Sequence, residues 1–217
     1  MTRAWLLLLG TLATLGFAIT VFVVLPRVVL VGASAPSALH PYTALEQRGR
    51  DVYVANGCVY CHSQQVRDPA FTTDIERGWG SRATVPADYV YDRPHLLGTM
   101  RTGPDLVNVG QRLPDPAWHL VHLYNPRAVT AWSIMPAFPF LFRVVDSTSI
   151  RAGDHVIPVP ARFAGRGKAV IATPEAEALA TYLLSLRRSY PVAASAAATN
   201  QSIVSGRAAH RAMRIRT

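Results

Sequence analysis

Residues 57–62 read GCVYCH: two thiols separated by two residues and followed at once by an imidazole. In the spacing C-x-x-C-H each thiol can add to one vinyl group of a haem, while the adjacent imidazole swings beneath the iron as its proximal ligand. Cys58 and Cys61 are therefore read as the covalent attachment points of one haem c, and His62 as an axial ligand. Two other chemistries use paired cysteines. A zinc half-site needs further thiolates or a second paired histidine cluster, and the chain has only 2 cysteines. A thioredoxin-like redox pair needs a βαβ setting, whereas a helical pattern precedes this motif.

That helical pattern is TALEQRGRDVYVANG, residues 43–57. Thr43 is placed to cap it, Leu45, Val52 and Tyr53 recur at roughly helical spacing, and Gly57 stops it. On the other side of the motif, residues 63–97 carry Pro, Gly and aromatics without sustained periodicity, so loop with short helical turns is expected. A helix is expected over Asp115 to Tyr124, stopped by Pro126. Pro136 and Pro139 force an extended path through MPAFPFLF. Between Val144 and Ile171, β-branched pairs separated by Gly and Pro predict a small β-hairpin. The clearest helix is TPEAEALATYLLSLRR, residues 173–188: Thr173 caps it, Pro174 suits its first position, and Ala176, Leu179, Leu183 and Leu186 make one apolar face.

An electron-transfer haem closes its iron with a second protein ligand, and a thioether raises the potential. Of 4 methionines, Met1 precedes the apolar amino-terminal segment and Met213 lies near the carboxyl terminus. Met135 stands before Pro136 in a stiff segment with Phe138, Phe140 and Phe142, and is the expected sixth ligand; Met100, in a polar turn, is the fallback. The proximal imidazole needs a carbonyl for its other N–H, and TGPDL, residues 102–106, offers that of Pro104. Arg101 and Arg127 are candidates for the haem propionates, which arginine binds bidentately. His119 and His122 share a helix face, but no carboxylate pattern accompanies them, so a structural or interface role is expected rather than a metal site.

With 217 residues, half of them apolar, the chain can build one compact domain and an anchor. Its net charge of +9 rests on arginine, Lys168 being the only lysine, and no basic run interleaved with aromatics suggests a nucleic-acid groove. Genome codon bias accounts for so arginine-heavy a set at least as well as selection for an acidic partner does. From Ala4 to Leu25 there is no charge; 22 residues at about 1.5 Å each reach about 33 Å, enough to cross a bilayer core of about 30 Å. Arg3 and Arg27 bracket this span and Trp5 sits near one interface. VGASA follows it as a possible peptidase site, but the apolar run exceeds the roughly 7 to 15 residues of a signal peptide core, so an uncleaved transmembrane anchor is expected. The resulting division is an anchor over residues 1–31, a linker over 32–41, a haem domain over 42–191 and a basic tail over 192–217.

Four blocks, GRDVYVANGCVYCHSQQVRD, YDRPHLLGTMRTGPDLVNVG, WHLVHLYNPR and IMPAFPFLF, resemble in order and spacing the mono-haem subunit II of cbb(3)-type haem–copper cytochrome c oxidases. The resemblance covers roughly Leu45 to Phe142, with a weaker match over Tyr182 to Val192. It implies a mainly α chain: one amino-terminal transmembrane helix followed by a class I cytochrome c domain with long loops. It also implies a single-pass protein of the bacterial inner membrane with its haem domain in the periplasm. Such a subunit is itself non-catalytic; it takes electrons from a donor cytochrome and passes them to the haem–copper catalytic subunit, beside the other cytochrome c subunit and membrane lipid. The segment IRAGDHVIPVPARF departs from the charged helical sequence usual there. In the implied fold, Gly49 on the helix before the motif meets Tyr182 on the last helix. Three other functions use one c-type haem: the mono-haem subunit of nitric oxide reductase, a stand-alone membrane-anchored cytochrome c, and an enzyme with an open iron such as a peroxidase.

Overall fold

A computed structural model describes residues 2–31 and 34–192; of the expected tail, everything beyond Val192 lies outside the described residues. The chain is mainly helical, with one amino-terminal apolar helix and a small sheet. It divides into two units, one built of the amino-terminal helix with residues 34–40 and Val85–Arg93, the other of Pro41–Thr84 and Pro94–Tyr190.

The first helix, α1, runs Thr2–Ile19, passes through a wider π turn at Thr20–Val24 and continues as Leu25–Val31. Pro26 explains the turn: it has no N–H for the carbonyl of Phe22, and its ring pushes that carbonyl aside. Within α1 the apolar stretch Arg3–Val28 spans 26 residues, about 39 Å at about 1.5 Å per residue. Its leucines and phenylalanines are exposed, as a lipid-facing helix requires. Its threonines suit the same setting, because Thr11, Thr14 and Thr20 donate their hydroxyls to the carbonyls of Leu7, Gly10 and Gly16 at 2.8–2.9 Å. In the same unit the short turn Pro86–Tyr89 lies against the Leu25–Val31 end.

The second unit is organised by three helices. Helix α2, Ala44–Ala55, opens on a reciprocal cap: the Glu46 N–H donates to the Thr43 hydroxyl at 3.3 Å, and the Thr43 N–H to the Glu46 carboxylate at 2.7 Å. It ends where Gly57 turns left-handed at φ 67°. Helix α3, Pro116–Tyr124, is capped by Asp115, which accepts from the Ala117 N–H at 2.9 Å. Helix α4, Pro174–Ser185, starts at Thr173 as expected but stops before Arg187 and Arg188; Arg187 instead donates back to the Leu184 carbonyl at 2.9 Å.

Helices α2 and α4 cross at a glycine. A Cβ on Gly49 would lie 1.9 Å from the Ala178 carbonyl oxygen and 2.8 Å from the Tyr182 Cβ, so the two backbones meet only because Gly49 has no side chain. Tyr182 is fully buried there, its ring edge-on to Tyr53 at 5.6 Å and its hydroxyl bonded to Gln64. Gly49→Ala is expected to destabilise the domain by about 3 kcal/mol through overpacking, read as a lowered urea midpoint.

The expected hairpin between Val144 and Ile171 is a three-stranded antiparallel sheet instead, of order β1-β3-β2. Strand β1, Phe142–Asp146, pairs with β3, Lys168–Ala172, from Phe142 opposite Ala172 to Asp146 opposite Lys168. The two residues of β2, Val156 and Ile157, occupy the other edge of β3. The buried run Ala169–Ala172 makes β3 the central strand, and it joins the core formed by Leu120, Leu179, Tyr182 and Leu186.

Candidate haem site

Directly after Gly57 the chain makes a tight turn over Cys58–Tyr60, with the N–H groups of Cys61 and His62 donating to the Cys58 carbonyl at 3.2 and 3.0 Å. The turn sets both thiols and the imidazole on the wall of one largely apolar cavity of about 340 Å³. Cys58 is half-buried and Cys61 exposed, and the two are not joined as a disulfide. Burial pushes the Cys58 thiol up to about 11.

His62 Nδ1 lies 2.7 Å from the Pro104 carbonyl oxygen. A carbonyl only accepts, so Nδ1 carries the proton and Nε2 keeps its lone pair for a metal. Burial holds the imidazole below its ordinary pKa and nearby Arg112 adds to the effect, against the Pro104 carbonyl, which works the other way. The ring is thus held in the tautomer that leaves Nε2 free to bind a metal. Gly103 makes its position possible, since a Cβ there would fall 2.2 Å from the His62 Cε1.

A staple joins the motif to TGPDL. Buried Asp105 accepts from the Ser63 hydroxyl at 2.6 Å and the Gln65 N–H at 2.8 Å, while the Gly103 N–H donates to the Cys61 carbonyl at 3.0 Å. Arg101 belongs to this staple. Its guanidinium pairs with Asp74, donates to the Ser63 hydroxyl at 2.8 Å and the Gln65 carbonyl at 2.7 Å, and packs over Trp79. Arg101 is therefore committed to protein partners rather than aimed into the cavity. Arg127 is likewise engaged, donating to the carbonyls of Ser133 and Met135, both at 3.1 Å. It pins the segment that carries Met135.

Met135 lines the same cavity as Cys58, Cys61 and His62, 73 residues along the chain from the imidazole (135 − 62). Met100, by contrast, is 56% exposed and is not among the lining residues. Arg112 escapes sequence reading, and His119 and His122, expected in a structural or interface role, line the same cavity. Arg112 is the arginine at the cavity; one of its terminal nitrogens bonds the Asp105 carbonyl, yet its buried Nε has no partner among the described residues. His119 donates to the Leu113 carbonyl at 2.8 Å. His122 stacks on Trp118 and brings its Nε2 within 3.2 Å of the Met135 sulfur. Burial, then the neighbouring His119 and His62, push His122 down to about 4, so it is neutral at physiological pH. No cluster of three or more His, Cys, Asp or Glu able to hold a metal ion occurs among the described residues.

The family described as cytochrome c oxidase, mono-heme subunit/FixO matches residues 2–158. The chain belongs to this family. The match begins in α1, includes the C-x-x-C-H turn, Pro104, Arg112, His122 and Met135, and ends just past β2. The FixO subunit is the haem-bearing component that the sequence blocks resemble, and it is part of a cbb(3)-type oxidase complex. A search among curated proteins finds no match. The chemistry of the lining suits a haem: two thiols, a neutral imidazole in the right tautomer, apolar walls, and a guanidinium N–H awaiting an acceptor.

Proposed function

We propose that this FixO subunit is a one-electron relay, holding a single haem c covalently through Cys58 and Cys61 with His62 and Met135 as axial ligands. The observation that carries the proposal is the meeting of those four residues in the lining of one cavity. A bound haem c supplies an Fe(III)/Fe(II) couple. The chain's own residues do the rest: the Pro104 carbonyl orients His62, Arg127 pins the Met135 segment, and the buried Arg112 Nε–H is the group suited to a propionate. With His62 and Met135 both given to a bound iron, no position would remain open for a substrate, which favours relay over a peroxidase-like reaction. Membership of the FixO family favours the oxidase over nitric oxide reductase.

Covalent haem attachment takes place on the exported side of the bacterial inner membrane, so α1 is proposed as a single-pass anchor in that membrane with the haem domain in the periplasm. The proposed partners are the haem–copper catalytic subunit, the other cytochrome c subunit, a donor cytochrome and lipid. Purification of the full chain from its own membranes in mild detergent is expected to bring down a haem–copper catalytic subunit that consumes oxygen. Recovery with a nitric oxide-reducing partner, or alone, would count against the proposal. On intact spheroplasts, added protease should remove the chain beyond about Gly32; a protected haem-bearing fragment would reverse the topology.

A further inference from the structure

A histidine with no other evident purpose stands within hydrogen-bond distance of the Met135 sulfur. His122 Nε2 stands 3.2 Å from the sulfur, while its Nδ1 is buried without a partner among the described residues. The ring is held by Trp118, with ring centroids 4.6 Å apart and planes 11° from parallel. These facts determine where the proton of the neutral ring sits. A proton on Nδ1 would leave a buried N–H unmet, at a cost of about 1–3 kcal/mol, and would turn the Nε2 lone pair against the sulfur lone pairs. A proton on Nε2 leaves only a lone pair unmet and points an N–H at the thioether, a weak acceptor.

We propose that His122 is a positioning residue for the sixth ligand: its Nε2–H donates to the Met135 sulfur, holds the thioether in one orientation and raises the reduction potential of the iron bound there. The proposal rests on the reading of Met135 as that ligand. A thioether sulfur has two lone pairs, so it can bind iron with one and accept the N–H with the other. The N–H draws density from the sulfur and sets a positive dipole end beside the metal. Both effects disfavour ferric more than ferrous iron.

The test is spectroelectrochemistry of the haem-loaded full chain in detergent. His122→Phe keeps an aromatic ring against Trp118 and loses the donor. The thioether–iron charge-transfer band should persist while the reduction equilibrium becomes about threefold to tenfold less favourable, a fall of about 28 to 59 mV at 59 mV per decade for one electron. His122→Gln, whose side-chain N–H can reach toward the sulfur, should restore most of the shift; a merely structural role would not order the potentials this way. A persistent band with unchanged potential in His122→Phe overturns the proposal alone. A wild-type band that survives Met135→Ala overturns the ligand reading, and this proposal with it. Wild type supplies a further test that needs no variant to fold: nitrogen-15 histidine spectra of the ferrous, diamagnetic chain should show His122 protonated at Nε2, and protonation at Nδ1 overturns the proposal.

Discussion

With both Cys58 and Cys61 replaced by alanine, the chain is expected to reach the membrane without covalent haem and with its second unit unfolded. The cavity wall explains why the loss extends beyond the cofactor. Tyr53 of α2, Leu123 of α3 and Leu183 of α4 all face the cavity, so the three helices share it as a common boundary. Beside those buried side chains Leu113 and Trp118 are only part-buried and Ile134 is 78% exposed on the cavity lining, so without an apolar occupant these three border water, and each large side chain so exposed costs about 1.5–3 kcal/mol. Three such exposures approach the lower end of the 5–15 kcal/mol that stabilises a typical domain. The small sheet cannot compensate, because β2 contributes two residues and β1 is an edge strand. Anything that binds only the native state stabilises it, and a covalent group does so without dissociating. Limited proteolysis and circular dichroism of the double variant should show cleavage throughout Pro41–Tyr190 and little helix beyond α1. A protease-resistant, haem-free domain would show that the protein core stands alone.

What could be read from the chain divides along physical lines. The haem motif and the helix caps are local: Cys58 to His62 lie within one turn, and Thr43 meets Glu46 three residues on, so spacing alone carries their chemistry. The Gly49–Tyr182 crossing is long-range yet legible, since a missing side chain opposite an aromatic is what two closely packed helices need. The arginines were not legible. Arg101, Arg112 and Arg127 are equivalent in type, and what separates them is the direction of a long side chain. Arg101 turns to Asp74, 27 residues earlier in a loop without periodicity, and only Arg112 turns to the cavity. The β structure between Val144 and Ile171 is legible in its β-branched pairs, but its third strand is not, because two-residue β2 is too short for any alternation pattern and residues 147–167 between β1 and β3 form no tight turn. His122 was seen as one of a histidine pair on a helix, but its relevant neighbour is Met135, 13 residues on, beyond the turns at Pro126–Ala128 and 130–133.

The relay and enzyme readings part at Met135, where substitution is expected to change the iron rather than the fold. Met135 is only partly buried, and its segment is held by backbone contacts that do not depend on the thioether: Arg127 to the Ser133 and Met135 carbonyls, and the Phe138 N–H to the Leu123 carbonyl at 2.9 Å. A variant should therefore assemble with its partners. Met135→His is expected to stay six-coordinate and low-spin while the potential falls on the order of 0.1 V, within the roughly 0.8 V that axial ligands span, because imidazole stabilises ferric iron more than a thioether does. Electron delivery should slow accordingly. Met135→Ala removes the donor atom, while the stack on Trp118 keeps His122 in place, so the iron should open and bind carbon monoxide. Met100→Ala, in an exposed turn away from the cavity, should leave the spectrum unchanged. Visible and near-infrared spectra of the three variants, with and without carbon monoxide, check these outcomes together. If Met100→Ala loses the thioether band and Met135→Ala keeps it, the axial assignment is wrong and the proline-rich segment only walls the cavity.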